Sequence, residues 1–148
     1  MIKKMLPVFL FVFFMLVLSA CGTSSDDIGE FKILDRRNNE DVVAYVHDDH
    51  WDGSLPNVNL GSNISLGAYI ESADGREREL DSDGSHNGFT VSLAEGAPEG
   101  IVSFAQHGDH VHIIGEAVGI TQVVFSWTHD GDVRYTTPPI NVHVVEGD

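Results

Sequence analysis

Residues 107–129 read HGDHVHIIGEAVGITQVVFSWTH, and the second half of that stretch decides the fold. Thr121, Val123, Phe125 and Trp127 alternate with Gln122, Val124, Ser126 and Thr128, a period of two that sends successive side chains to opposite faces of an extended chain. A helix would need apolar residues three and four apart on one side, and that spacing is missing after the N-terminal leader. The pattern predicts a strand with Thr121, Val123, Phe125 and Trp127 toward a core.

The same period recurs outward. Residues 62–71 place Ile64, Leu66, Ala68 and Ile70 on one face and Ser65, Gly67, Tyr69 and Glu71 on the other. Shorter β-branched or alternating runs stand at 31–34, 42–46, 76–80, 89–93, 101–106, 111–114, 133–136 and 140–144. Asp74-Gly75, Gly108-Asp109 and Asp130-Gly131 supply turns, because Gly and Asp tolerate the positive φ a tight hairpin requires. Pro56, Pro98 and Pro138-Pro139 interrupt ladders, since proline has no N–H to donate. An all-β sandwich of about seven to eight antiparallel strands follows, occupying residues 31–148. Residues 47–53, HDDHWDG, read as a loop. Residues 81–88, DSDGSHNG, start like a calcium loop, but His86 stands where an EF-hand needs Gly and no Glu stands at the twelfth position, so a turn is expected.

The N-terminus carries a different signal. Lys3 and Lys4 precede an apolar run that ends in Leu18-Ser19-Ala20-Cys21, the layout of a secretory signal rather than a span. Leu-Ser-Ala-Cys resembles the lipobox of bacterial lipoproteins. That resemblance implies that residues 1–20 are removed, that Cys21 is lipidated, and that the protein sits outside the cytoplasm, anchored to a membrane it does not cross. Residues 21–30, small and acidic, are expected to be a flexible tether. Cys21 is the only cysteine, so no disulfide forms within the chain and stability comes from core burial.

From about residue 60 the layout resembles the bacterial Ig-like domains of cell-surface and periplasmic proteins. Residues 61–70, 111–119, 121–127 and 140–145 take the places of that family's Gly-led strand, its Gly-punctuated strand, its Thr/Val-rich strand and its Val-rich last strand. The resemblance implies a sandwich and an extracytoplasmic setting, and transfers no catalytic residue.

Charge and histidine content bear on function. The formal net charge is −15, more negative still once Lys3 and Lys4 leave with the leader. Such a surface repels nucleic acid and attracts cations. Eight histidines are present. His110 and His112, two apart on a strand, leave the same face about 6.6–7 Å apart, within reach of one ion. His107, His129, His47 and His50 are candidates for the remaining positions of one centre, while His86 and His143 are expected to be surface residues. Imidazole and carboxylate donors suit Zn²⁺, with Cu²⁺ or Ni²⁺ competing on affinity; calcium prefers an all-oxygen set.

In the alternative reading His110 and His112 are solvent-facing residues opposite core-facing Val111 and Ile113, and the domain is a structural or adhesive module at the cell surface. His110, His112 and Glu116 also resemble the first cupin motif, but the glycine before it and the second motif are missing. No Gly-x-Ser-x-Gly elbow, phosphate loop or Cys-x-x-Cys pair is present. The expected function is therefore non-enzymatic: capture, storage or delivery of a divalent transition metal, with a membrane lipid, the metal, and a metal transporter or another surface protein as partners.

Overall fold

The computed structural model describes residues 28–82 and 86–147. The expected leader, Cys21, most of the expected tether and residues 83–85 of the turn expected at 81–88 lie outside the described residues.

Two β-sheets pack face to face, and the described residues contain no helix. The first sheet holds β1 (Ile28–Asp35), β2 (Asp41–His47), β3 (His50–Gly53), β5 (Asn63–Ser72), β6 (Glu77–Leu80), β8 (Val102–His107) and β9 (His110–Gly115), in the order β3-β2-β1-β5-β9-β8 with β6 also on β5. The second holds β4 (Val58–Asn59), β7 (Asn87–Leu93), β10 (Gly119–His129), β11 (Asp132–Thr136) and β12 (Ile140–Val145). Among the described residues the pairings between strands are antiparallel except β4 with β12.

β10 is the spine of the second sheet. β11 and β12 follow one another along one of its edges and β7 runs along the other. The jog between β11 and β12 falls at Thr137-Pro138-Pro139, where the prolines break the ladder. Thr137 takes over at the break: its N–H donates to the Phe125 carbonyl at 2.8 Å and its Oγ1 accepts the Phe125 N–H at 3.0 Å.

The alternating residues fill the space between the sheets. Ile64, Leu66, Ala68 and Ile70 of β5 are buried, as are Thr121, Val123, Phe125 and Trp127 of β10. Phe125 is the hub, with Phe31 at 6.4 Å and Trp51 at 6.2 Å between ring centres. Trp51 is also tied across the sandwich, donating its indole N–H to the Pro138 carbonyl at 2.8 Å.

Twelve strands are present among the described residues, against the seven to eight expected. All ten runs picked out in the sequence are strands, and two short elements add to them. Residues 47–53 form a hairpin instead of a loop, because Asp48 and Asp49 both adopt positive φ (47° and 60°) and return the chain in two residues. Val58–Asn59 adds a two-residue strand beside β12. β1 begins at Ile28, inside the segment expected to be tether, because Ile28 and Glu30 pair with Ser72 and Glu71 of β5.

Lys32, Arg36 and Arg37 are paired with carboxylates on the outer face and rim of the first sheet. Lys32 bonds Glu71 at 2.5 Å and Glu77 at 2.8 Å; these hydrogen bonds, above all to Glu71, raise its pKa against the lowering effect of burial. Arg36 pairs with Glu79, Asp109 and Glu40, and Arg37 with Asp35. The remaining acidic side chains leave the surface strongly anionic.

Candidate metal centres

The hairpin tips gather the histidines. Three tips have a two-residue Asp or Gly turn between a histidine and another donor residue: His47-Asp48-Asp49-His50, His107-Gly108-Asp109-His110 and His129-Asp130-Gly131-Asp132. In antiparallel pairing the residues flanking such a turn stand directly opposite one another, on one face. Side chains three positions apart in sequence are thereby brought together.

The first group lies at the β2–β3 tip. His47 faces His50 in the register, with ring centres 4.2 Å apart. Asp52 stands beside them, its Oδ2 at 2.7 Å from His47 Nε2 and 3.6 Å from His50 Nε2. Tyr45 stacks on the His47 ring at 5.6 Å. The hydrogen bond that His47 donates to Asp52 is the main cause that raises the His47 pKa above its usual value, partly offset by burial. A cleft lined by Ile28, Val46, His47, Asp48, Asp49 and Tyr135 opens next to the group.

The second group joins the two edges of β7 and β10. Asn87 pairs with His129 in the register, which carries His86, the preceding residue, alongside. The His86 and His129 rings are 4.1 Å apart. Asp130 Oδ1 is 2.6 Å from His86 Nδ1, and its Oδ2 is 3.6 Å from His129 Nε2. The hydrogen bond with His86 is the main cause holding the Asp130 carboxyl below the usual carboxylate range. His129 Nδ1 lies 3.0 Å from Asn87 Oδ1. When that nitrogen donates, the tautomer is fixed and the Nε2 lone pair, on the Asp130 side, is left free for an ion, the outer-shell arrangement usual for metal-binding imidazoles.

In each of these two groups one donor atom per residue lies within 4.8 Å of the others. That is the spacing from which three donors close on an ion with bonds of about 2.0–2.2 Å after small side-chain rotations. Two imidazoles and one carboxylate leave a fourth tetrahedral position open to water or to a donor from another molecule.

His107, His110 and His112 form a third cluster, on the outer face of the β8–β9 hairpin, with ring centres 4.5–5.3 Å apart. Val111 and Ile113 point the other way, into the core. Burial first, and then the neighbouring His107 and His110, push the His112 pKa below its usual value. The Asp109 carboxyl is likewise held low, chiefly by its hydrogen bond to His110.

The six histidines expected to share one centre are therefore divided among three places. His47 and His50 sit by one edge of the first sheet, His107, His110 and His112 by the opposite edge, and His129 in the second sheet. β2 and β9 are three strand spacings apart, about 14 Å, too far for shared coordination. Asp52, Asp130 and His86 were not among the expected ligands. His86 had been expected at the surface; it is exposed, yet it completes the second group. His143 lies on β12, opposite Ile120. No protein-family model matches this chain, and no curated protein does either.

Proposed function

We propose that this protein is an extracytoplasmic lipoprotein, anchored through Cys21, that binds divalent transition metal, zinc foremost, for capture, storage or delivery. One observation carries the reading: two independent His₂Asp groups, His47–His50–Asp52 and His86–His129–Asp130, each with its donor atoms already within 4.8 Å of one another. The donor set is borderline nitrogen with one hard oxygen, which favours zinc, copper or nickel over calcium and magnesium. The anionic surface concentrates cations around both groups, and their exposure suits loading and unloading from solution. Lipid on Cys21 would hold the domain at the membrane, where more than one acyl chain gives stable anchoring.

The test is calorimetric titration of the EDTA-stripped full chain, in detergent, with Zn²⁺ at pH 7.5 and pH 5.5. Protonated imidazole cannot ligate. Because Asp52 raises the His47 pKa, proton competition at the first group sets in at a higher pH than for an ordinary histidine near 6.5. Affinity is expected to fall at least tenfold between the two pH values. No saturable zinc binding at pH 7.5, or the same affinity at both, contradicts the reading.

A further inference from the structure

We propose that the outer face of the β8–β9 hairpin is a third metal site, made of the imidazoles of His107, His110 and His112, that takes copper(II) or zinc by nitrogen donors alone. This extends the metal-binding reading above to a chemically different centre, and its test is arranged to fail or succeed separately.

The register builds the face. His107 stands directly opposite His110, and His112 lies two residues further along the same side of β9, opposite Ala105 on one neighbour and Ser65 on the other. Both cross-strand neighbours of His112 are small, which leaves room above the sheet between the three rings. The ring centres are 5.3 Å (His107 to His110), 4.5 Å (His107 to His112) and 5.0 Å (His110 to His112) apart. An imidazole bound to zinc at about 2.0–2.1 Å has its ring centre roughly 3.1 Å from the ion, so two such rings at the tetrahedral angle are about 5.1 Å apart. The three rings thus already have the separations of a His₃ centre. Their nitrogens do not yet converge as those of the two His–Asp groups do; convergence needs rotation about χ2, a broad and soft torsion for histidine.

An outer shell is in place. Asp109 Oδ1 holds His110 Nδ1 at 2.7 Å, and Arg36 Nη1 holds Asp109 Oδ2 at 2.9 Å. This occupies His110 Nδ1 and leaves Nε2 for the ion, with His107 and His112 free to turn toward it, the carboxylate–histidine–metal arrangement that supports ligand orientation and basicity. Arg36, the cation that holds Asp109, is neutralised by that carboxylate, by Glu40 at 3.1 Å and by Glu79 at 2.5 Å. The hairpin itself is pinned by Ser82, whose N–H donates to the Gly108 carbonyl and whose hydroxyl donates to the His110 carbonyl at 2.7 Å. With no carboxylate in the donor set, calcium and magnesium have nothing to coordinate, whereas borderline ions do.

The test removes the other two groups. A full-length His47→Ala, His50→Ala, His86→Ala, His129→Ala chain is titrated with Cu²⁺ and Zn²⁺ in the presence of excess Ca²⁺. One equivalent should still bind, and the Cu²⁺ complex should show electron-paramagnetic splitting from several imidazole nitrogens. Adding Asp109→Asn should weaken binding 10–100-fold, and adding His112→Ala or His107→Ala at least tenfold. His107 is exposed, so that variant keeps the fold even if His112→Ala does not. A quadruple variant that binds neither ion, or one whose affinity is unchanged by His107→Ala, overturns the third site. If the quadruple variant instead binds as many ions as the native chain, the two His–Asp groups fail and this site stands.

Discussion

Replacing His47 and His50 together by Ala is expected to remove one zinc equivalent from the chain and leave the ion of the His86 group bound with unchanged affinity; replacing His86 and His129 should remove that ion and leave the one at the His47 group. Each pair supplies two of the three protein ligands in its group. A lone carboxylate on a solvated surface does not hold a transition ion against water, so the affected group should lose at least 100-fold in affinity. The fold should be nearly indifferent. His47, His50 and His86 are partly or largely exposed, and substitutions of that kind cost within about 0.5 kcal/mol. Titration calorimetry read alongside urea unfolding separates the two effects. The reciprocity between the pairs is the informative part, because the groups lie in different sheets, share no residue, and should therefore behave additively.

Phe125→Ala is the substitution with the largest expected cost in stability. The side chain is fully buried at the centre of β10, against Phe31 and Trp51. Truncation leaves a cavity between two sheets that are held apart by their backbones, so relaxation cannot fill it, and about 3–5 kcal/mol should be lost. For a domain of ordinary stability, about 5–15 kcal/mol, that is a large share of the total, and the urea midpoint should drop with little change in slope. The effect also reaches the first His–Asp group. Trp51 precedes Asp52 on β3, and its ring is clamped between Phe125 and the Pro138 carbonyl; when Phe125 is lost, the strand that carries His50 and Asp52 loses part of its anchor. Zinc affinity at that group should weaken in Phe125→Ala while the His86 group, set by the β7–β10 ladder, holds. Equal stability of the variant and the native chain contradicts the placement of the core.

The core was legible because alternation is a local property. Residues 62–71 and 121–127 show which face is buried without reference to any partner strand, and the observed burial follows that register. The short strands were not legible. His50–Gly53 is polar and charged, and it is a strand only because Asp48 and Asp49 return the chain onto β2. The histidine groups depend on register even more. His47 with His50, and His107 with His110, could be read as neighbours once their tips were recognised as two-residue hairpins. His86 could not, because its approach to His129 depends on β7 pairing with β10 across the intervening residues 94–118. The assumption of a single centre failed for the same reason: strands near in composition lie at opposite edges of a sheet, and sequence alone does not order the edges.

The central claim is that the imidazoles collect at separate hairpin tips, each competent to hold its own ion. The most direct measurement is the number of zinc ions retained per full-length chain at pH 7.5 after EDTA stripping, reloading and exhaustive dialysis. Two or more per chain is the result predicted by the geometry of the His47 and His86 groups. A value near zero, or a single ion that disappears whichever pair of histidines is removed, contradicts it.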